Sequence, residues 1–283
     1  MYLQNKRCVI IGAGALGTQL ALALQERGFT VVQVISRRMS SAIQLAQLLG
    51  KDVGYTDRLL SITQAADFVF FCVRDVQLPQ VVKTLAPYAS TRICYIHLAG
   101  SIPLKVLEPL GKKVGIIYPL YTFSPNRKPN WKKIPLFLEA TSASREVIRA
   151  IAQALSPKQY WLTTQERLQL HLAAVFLANF TNYLAACAEE IIKPLSQKGV
   201  DLQVFFPIVQ EVIAKWKDMS PYEAQTGPAR RGDYATLFKH RELLVRQFPQ
   251  FQKIYRLISE ELLKKYGHPL PNTTNTTIEK AQE

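Results

Sequence analysis

The chain has 283 residues, 48% of them hydrophobic and 20% charged, which is enough apolar material for one large domain or two medium ones. Its formal net charge of +14 favours anionic small molecules as partners. No helix-turn-helix, zinc-finger spacing or aromatic–basic ribonucleoprotein pattern accompanies that charge, so nucleic-acid binding is disfavoured.

No run of 18 or more apolar residues is uninterrupted, and the N-terminus enters a strand at once. A cytoplasmic protein with no membrane span and no signal peptide is expected. The four cysteines show no metal-ligand or redox spacing and read as small buried hydrophobes.

The apolar run Cys8 to Ile11 leads into Gly12-Ala13-Gly14-Ala15-Leu16-Gly17, and a helical pattern of Leu16, Leu20, Ala23 and Leu24 follows as far as Gly28. Strand, glycine turn and helix in that order predict a dinucleotide site. Gly12 permits the turn, Gly14 lets a pyrophosphate approach the backbone, and Gly17 lets helix and strand pack. The N–H groups of Ala15, Leu16 and Gly17 then face the phosphates from the helix N-terminus.

Phe29 to Ile35 is a second strand ending at Ser36-Arg37-Arg38. An acidic residue there would bind the ribose 2′-hydroxyl of NAD; a serine and two arginines suit the 2′-phosphate of NADP(H). A helix capped by Ser40 or Ser41 runs to Leu49. Asp67 to Val73 is a continuous apolar strand, so Val73, Arg74 and Asp75 lie at its carboxyl end beside the cofactor. A helix over 77–85, a strand over 93–97 ending in His97, a strand over 114–118, a strand over 137–139 and a helix over 144–155 capped by Ser144 complete the alternation. The fold class is α/β, a doubly wound and mostly parallel Rossmann sheet over residues 1–162.

From residue 163 the alternation gives way to helices, so an all-α C-terminal domain is expected over 163–270 and a disordered tail over 271–283. Residues 165–194 form one long helical pattern, apolar nearly all round, which must be buried on more than one side, inside the domain or in a homodimer interface. His171, Val175, Asn179 and Asn182 recur at spacings of four, four and three, placing a histidine and two amides on one face. Those groups suit substrate contacts or interhelical hydrogen bonds alike. Further helices fit 202–216, 234–248 and 251–266. The loop 225–233 carries Arg230 and Arg231 between glycines, suited to clamp an anion or to lie solvated, and Asp233 caps the helix after it.

Together these features resemble the NADP-dependent reductases with a Rossmann domain and a helical C-terminal domain, among them pyrroline-5-carboxylate reductase, ketopantoate reductase and 6-phosphogluconate dehydrogenase. A closer resemblance is to a bacterial family of NADP oxidoreductases whose C-terminal domain has no assigned function. It rests on His97-Leu98-Ala99-Gly100, on Tyr118 to Phe123, on His171-Leu172-Ala173-Ala174 with Asn179, and on Thr226 to Asp233. This chain departs from the family pattern at Tyr118 (histidine in the family), Tyr121 (glutamine) and Ala99 (serine), which implies a different substrate or a weaker activity.

The expected function is hydride transfer between NADP(H) and a carbonyl or imine carbon of a small, anionic substrate in a cleft between the domains. His171 is the expected proton donor. Asn179 would orient the substrate, Arg230 hold its anionic group, and His97 lie near the nicotinamide. The rival reading is a non-catalytic NADP-binding sensor or scaffold.

Overall fold

The computed structural model describes residues 3–271, so all but the first residue of the tail expected over 271–283 lies outside the described residues. The chain divides into two compact units, Met1–Asn179 and Phe180–Glu283. The break falls at 179/180, later than the 162/163 boundary expected from the end of the strand–helix alternation.

In the first unit, β1 (Arg7–Ile11), β2 (Thr30–Ile35), β3 (Gly54–Thr56), β4 (Phe68–Phe71), β5 (Cys94–His97), β6 (Val114–Pro119), β7 (Leu136–Ala140) and β8 (Gln159–Trp161) form one sheet in the order β3-β2-β1-β4-β5-β6-β7-β8. Neighbours are parallel except for the antiparallel pair β6–β7. The helices are α1 (Ala15–Gln25), α2 (Met39–Leu49), α3 (Leu78–Leu85) and α4 (Arg145–Leu155).

The two-residue period of a strand sends alternate side chains to opposite faces, and here both faces are covered. Cys8, Ile10, Phe68 and Phe70 join one buried cluster with Leu20 and Leu24 of α1, Leu45 of α2 and Ile148 of α4. Val9, Ile11, Val69 and Phe71 join the other with Leu78 and Val82 of α3. That is why β4 reads as an unbroken apolar run.

Two helix starts differ from expectation. The N-cap of α2 is Arg38, not Ser40 or Ser41, and no side chain caps it. Ser144 is the N-cap of α4, but its hydroxyl donates to the Val114 carbonyl at 2.6 Å and so ties the helix to β6.

The helix α5 (Thr164–Ala174) opens with a capping box. Glu166 N–H donates to the Thr163 hydroxyl at 3.3 Å, and Thr163 N–H donates to the Glu166 carboxylate at 2.8 Å. One turn on, the side chain of Arg167 is only 1% exposed; it pairs with the Glu139 carboxylate at the end of β7 and donates to the Ile102 carbonyl. Thr164 adds a hydrogen bond to Glu139 at 2.8 Å. These contacts bind the start of α5 to the sheet, which moves the unit boundary beyond it.

Val175–Phe180 is a π-helix, followed by α6 (Thr181–Ile192). By length and composition the continuous helix Thr164–Lys198, of 35 residues with an 18-residue stretch of mean hydropathy 1.4, is long and apolar enough to cross a membrane. The sequence expectation looked for an uninterrupted apolar run. An average over 18 residues tolerates His171, Asn179 and Asn182, which is how a helix with no uninterrupted apolar run passes by composition.

The second unit continues with α7 (Phe206–Lys215), α8 (Pro221–Ala224), α9 (Pro228–Arg231), α10 (Tyr234–Gln247) and α11 (Gln252–Lys265). Asp233 caps α10 as expected, accepting the Thr236 N–H at 3.0 Å. Cys187, Leu244, Phe248 and Phe251 form one small core, and Ala229, Leu237 and Leu263 a second.

Two substitutions test this framework. Arg167→Ala leaves the Glu139 carboxylate without its cation in a largely buried place and should lower stability by about 3 kcal/mol in urea denaturation. Gly17→Ala places a Cβ 1.9 Å from the Gly12 carbonyl oxygen, a contact with backbone that nothing can relieve cheaply. It should cost about 1–3 kcal/mol or more by the same measurement.

Candidate functional site

The glycine turn separates three roles for its glycines. Gly12 has φ +109°, and a Cβ there would meet the Cys72 carbonyl oxygen at 2.4 Å, just beyond the end of β4. Gly17 is closed by the Gly12 carbonyl. Gly14 is different: a Cβ there would meet nothing within 4 Å. The protein itself thus requires Gly12 and Gly17, whereas the space before Gly14 is open to a ligand.

Gly14 is the N-cap of α1 and no side chain caps that helix. The first intrahelical donor is Thr18 N–H, bonded to the Gly14 carbonyl at 2.9 Å. The N–H groups of Ala15, Leu16 and Gly17 are therefore left for an anion, as a pyrophosphate requires. A pocket of about 590 Å³ borders Ala13, Gly14 and Ala15, with Ser41 and Gln44 of α2 and Asn126 on its walls.

Ser36 follows β2, its N–H held by the Thr56 carbonyl at 3.1 Å. Arg37 and Arg38 are exposed, and the ion pairs found among the described residues use other cations. Two guanidinium groups beside the second strand's end fit a 2′-phosphate. Val73 is half-buried against the α3-side core, and Arg74 is exposed at the end of β4.

The parallel strands carry their carboxyl ends from the glycine turn toward β5 and β6, about 10–14 Å away at the usual strand spacing. At the end of β6 the Tyr118 hydroxyl lies 3.1 Å from His171 Nδ1, with the rings edge to face and 5.9 Å apart. Gly100, in the loop after β5, lies against both rings. Ser101 donates to the Asp75 carboxylate at 2.6 Å. Burial, and then the Asp75 charge, raise the Tyr118 pKa above the ordinary phenol value, with Arg167 opposing them.

The remaining expected residues fall differently. His97 is fully buried, and its Nδ1 accepts the Ala99 N–H at 3.2 Å. Burial, then the Arg167 charge, push its pKa down to about 3. The ring is neutral and has no surface to offer a nicotinamide, so the cofactor contact expected of His97 is corrected to a place in the core. Asn179 is exposed and lies in the π-helix. A π turn closes on i+5 rather than i+4, so the uniform spacing that placed Asn179 and Asn182 with His171 does not run through it.

In the second unit Arg230 donates to the Glu223 carbonyl at 3.0 Å and to the Gln225 carbonyl, and lies 5.4 Å from the Tyr266 ring. Through Nη1 it closes its own loop.

Sequence reading missed Arg167 and the pairing of Ser101 with Asp75, and registered Tyr118 only as a departure. One signal was present: Arg167 stands four residues before His171, on the same helical stripe.

Comparisons with known proteins agree with this fold. The Rossmann-like domain family matches residues 3–122, and the domain of unknown function DUF2520 matches residues 134–262. A crystal structure of a "putative NADP oxidoreductase" from Bacteroides fragilis is 34% identical, covers 93% of this chain and 100% of that one, and superposes with a TM-score of 0.85. An imine reductase from Myxococcus stipitatus in complex with NADP+ shares the fold at 15% identity, covering 92% of this chain and 93% of that one with a TM-score of 0.62.

A 67-residue stretch is 40% identical to the glutamyl-tRNA reductase of Methanothermobacter marburgensis, which is 24% of this chain and 17% of that protein. The chain thus spans about a sixth of the length of the curated relatives it matches. With a 34% identical relative aligned over its whole length, the chain belongs to the family that joins a Rossmann-like domain to the DUF2520 domain.

Proposed function

We propose that this protein is an NADP(H)-dependent oxidoreductase that transfers a hydride to or from a carbonyl or imine carbon of a small anionic substrate. The observation that carries the reading is the glycine turn. Gly12 and Gly17 are closed by the protein's own backbone, Gly14 faces open space, and the helix behind it is uncapped. Pyrophosphate would lie on the N–H groups of Ala15, Leu16 and Gly17, and the 2′-phosphate on Ser36, Arg37 and Arg38. When bound, the nicotinamide supplies the hydride. His171, half-buried and paired with Tyr118, supplies the proton that a reduced carbonyl or imine needs. The net charge of +14 draws anionic substrates toward the molecule.

The helices of the second unit support a homodimer as the working form. No residue of α7 is buried. Phe206, Ile208, Val209, Val212, Ile213 and Trp216 are each 41–62% exposed. A monomer rarely leaves more than a few hundred Å² of contiguous apolar surface in water. A second copy meeting the same face about a two-fold axis covers it with matching chemistry.

Thermal-shift titration tests the cofactor reading, since a ligand bound only by the native state raises its melting point. NADPH should stabilise more than NADH. Arg37→Ala with Arg38→Ala should weaken NADPH by about 10–100-fold, the loss of charge-assisted bonds to one phosphate. Gly14→Ala should keep the melting point of the free protein and lose nucleotide binding. Equal responses to all four pyridine nucleotides, or none, would remove the NADP assignment.

Light scattering at micromolar concentration should return twice the chain mass, and Val209→Asp with Val212→Asp should halve it. A wild-type monomer overturns the dimer.

A further inference from the structure

We propose that Tyr118 is a positioning residue for His171: its hydroxyl donates to Nδ1, holds the imidazole as the Nε2–H tautomer, and passes its proton to Nδ1 when Nε2–H protonates the reduced substrate. The catalytic half of this inference rests on the oxidoreductase reading; the tautomer does not.

Geometry carries it. The Tyr118 hydroxyl and His171 Nδ1 are 3.1 Å apart, and the rings meet edge to face at 70°. Tyr118 belongs to a strand paired on its β7 side with Phe137, so its ring has a fixed base. His171 stands one helical turn beyond Arg167, whose buried ion pair fixes α5 against the same sheet. Gly100 provides the room. A Cβ there would stand 2.7 Å from His171 Nδ1 and 2.8 Å from Tyr118 Cζ, so any side chain would force the two rings apart.

The direction of the hydrogen bond follows from the chemistry of the two groups. A neutral imidazole has one N–H and one lone-pair nitrogen, and a phenol O–H is the better donor of the two rings' polar groups. Burial and the Asp75 carboxylate keep the phenol protonated. Nδ1 is then the acceptor and Nε2 carries the proton.

The proton count closes. The heteroatom of the reduced substrate takes the proton of Nε2, Nδ1 takes that of Tyr118, and imidazole remains neutral with its tautomer reversed. The phenolate left behind is disfavoured by burial and the Asp75 charge, with the Arg167 charge opposing them, so it is short-lived and regains its proton from water. A tyrosine therefore does the work that the family's histidine at this position would otherwise share, and the departure at Tyr118 preserves a proton path.

Nitrogen-15 NMR of histidine-labelled protein tests the assignment without a substrate, and four histidines make the spectrum assignable. With the rings neutral, His171 should show a pyridine-like Nδ1 and a pyrrole-like Nε2. In Tyr118→Phe, which keeps the ring packing, the two shifts should move toward one another, and Gly100→Ala should do the same by parting the rings. A pyrrole-like Nδ1 in the wild type, or shifts unmoved by Tyr118→Phe, overturns the proposal. The NADPH thermal shift, measured on the same samples, reports separately on the oxidoreductase reading.

Discussion

Arg167 brings a permanent positive charge into the sheet side of the first unit, and the position of the candidate acid follows from how that charge is satisfied. The Glu139 carboxylate and the Ile102 carbonyl come from the end of β7 and from the segment after β5. Binding both fixes the start of α5 against two separate parts of the sheet. His171, one turn later on the same helical face, is thereby carried to Tyr118. Removing either charge would leave the other stranded in a place of low polarity, which is the costly outcome for a buried pair. The same cation acts on two neighbours at a distance, lowering the pKa of His97 and opposing the rise at Tyr118.

The glycine turn and the Tyr118–His171 pair obey one architectural rule. Parallel strands leave their carboxyl ends open, because the chain must cross over before it can return, and ligands lie in the space so formed. β1, β4, β5 and β6 are consecutive neighbours in the sheet. The proposed phosphate-binding groups sit at the end of β1 and the proposed proton-bearing groups at the end of β6, with Asp75 and Ser101 on the loops after β4 and β5. A hydride donor extended along that edge needs anion contacts at one end and a proton source at the other.

His97 illustrates how a plausible residue is lost to burial. It ends β5, where a ligand contact is expected, yet its ring turns into the core. Tyr118 illustrates the reverse. It replaces the residue that the family resemblance led one to look for, and its hydroxyl still reaches the histidine. Function at this edge depends on which atoms meet, and residue type alone predicts that poorly.

The amino-acid order by itself determined the elements: the strand–turn–helix at Gly12 to Gly17, the alternation that makes a parallel sheet, and the helical second half. These are set by local chemistry, by glycine's freedom at φ +109°, by period-two and period-3.6 burial, and by an arginine pair at a strand end. Tertiary structure decided the rest. The burial of His97 and the ion pair under α5 depend on groups far apart in the chain, while the π turn at Val175–Phe180 and the bonds of Arg230 to Glu223 and Gln225 are local closures that a 3.6-residue period does not describe. Sequence periodicity describes one element at a time, whereas a charge or a hydroxyl is satisfied by whatever the fold brings beside it.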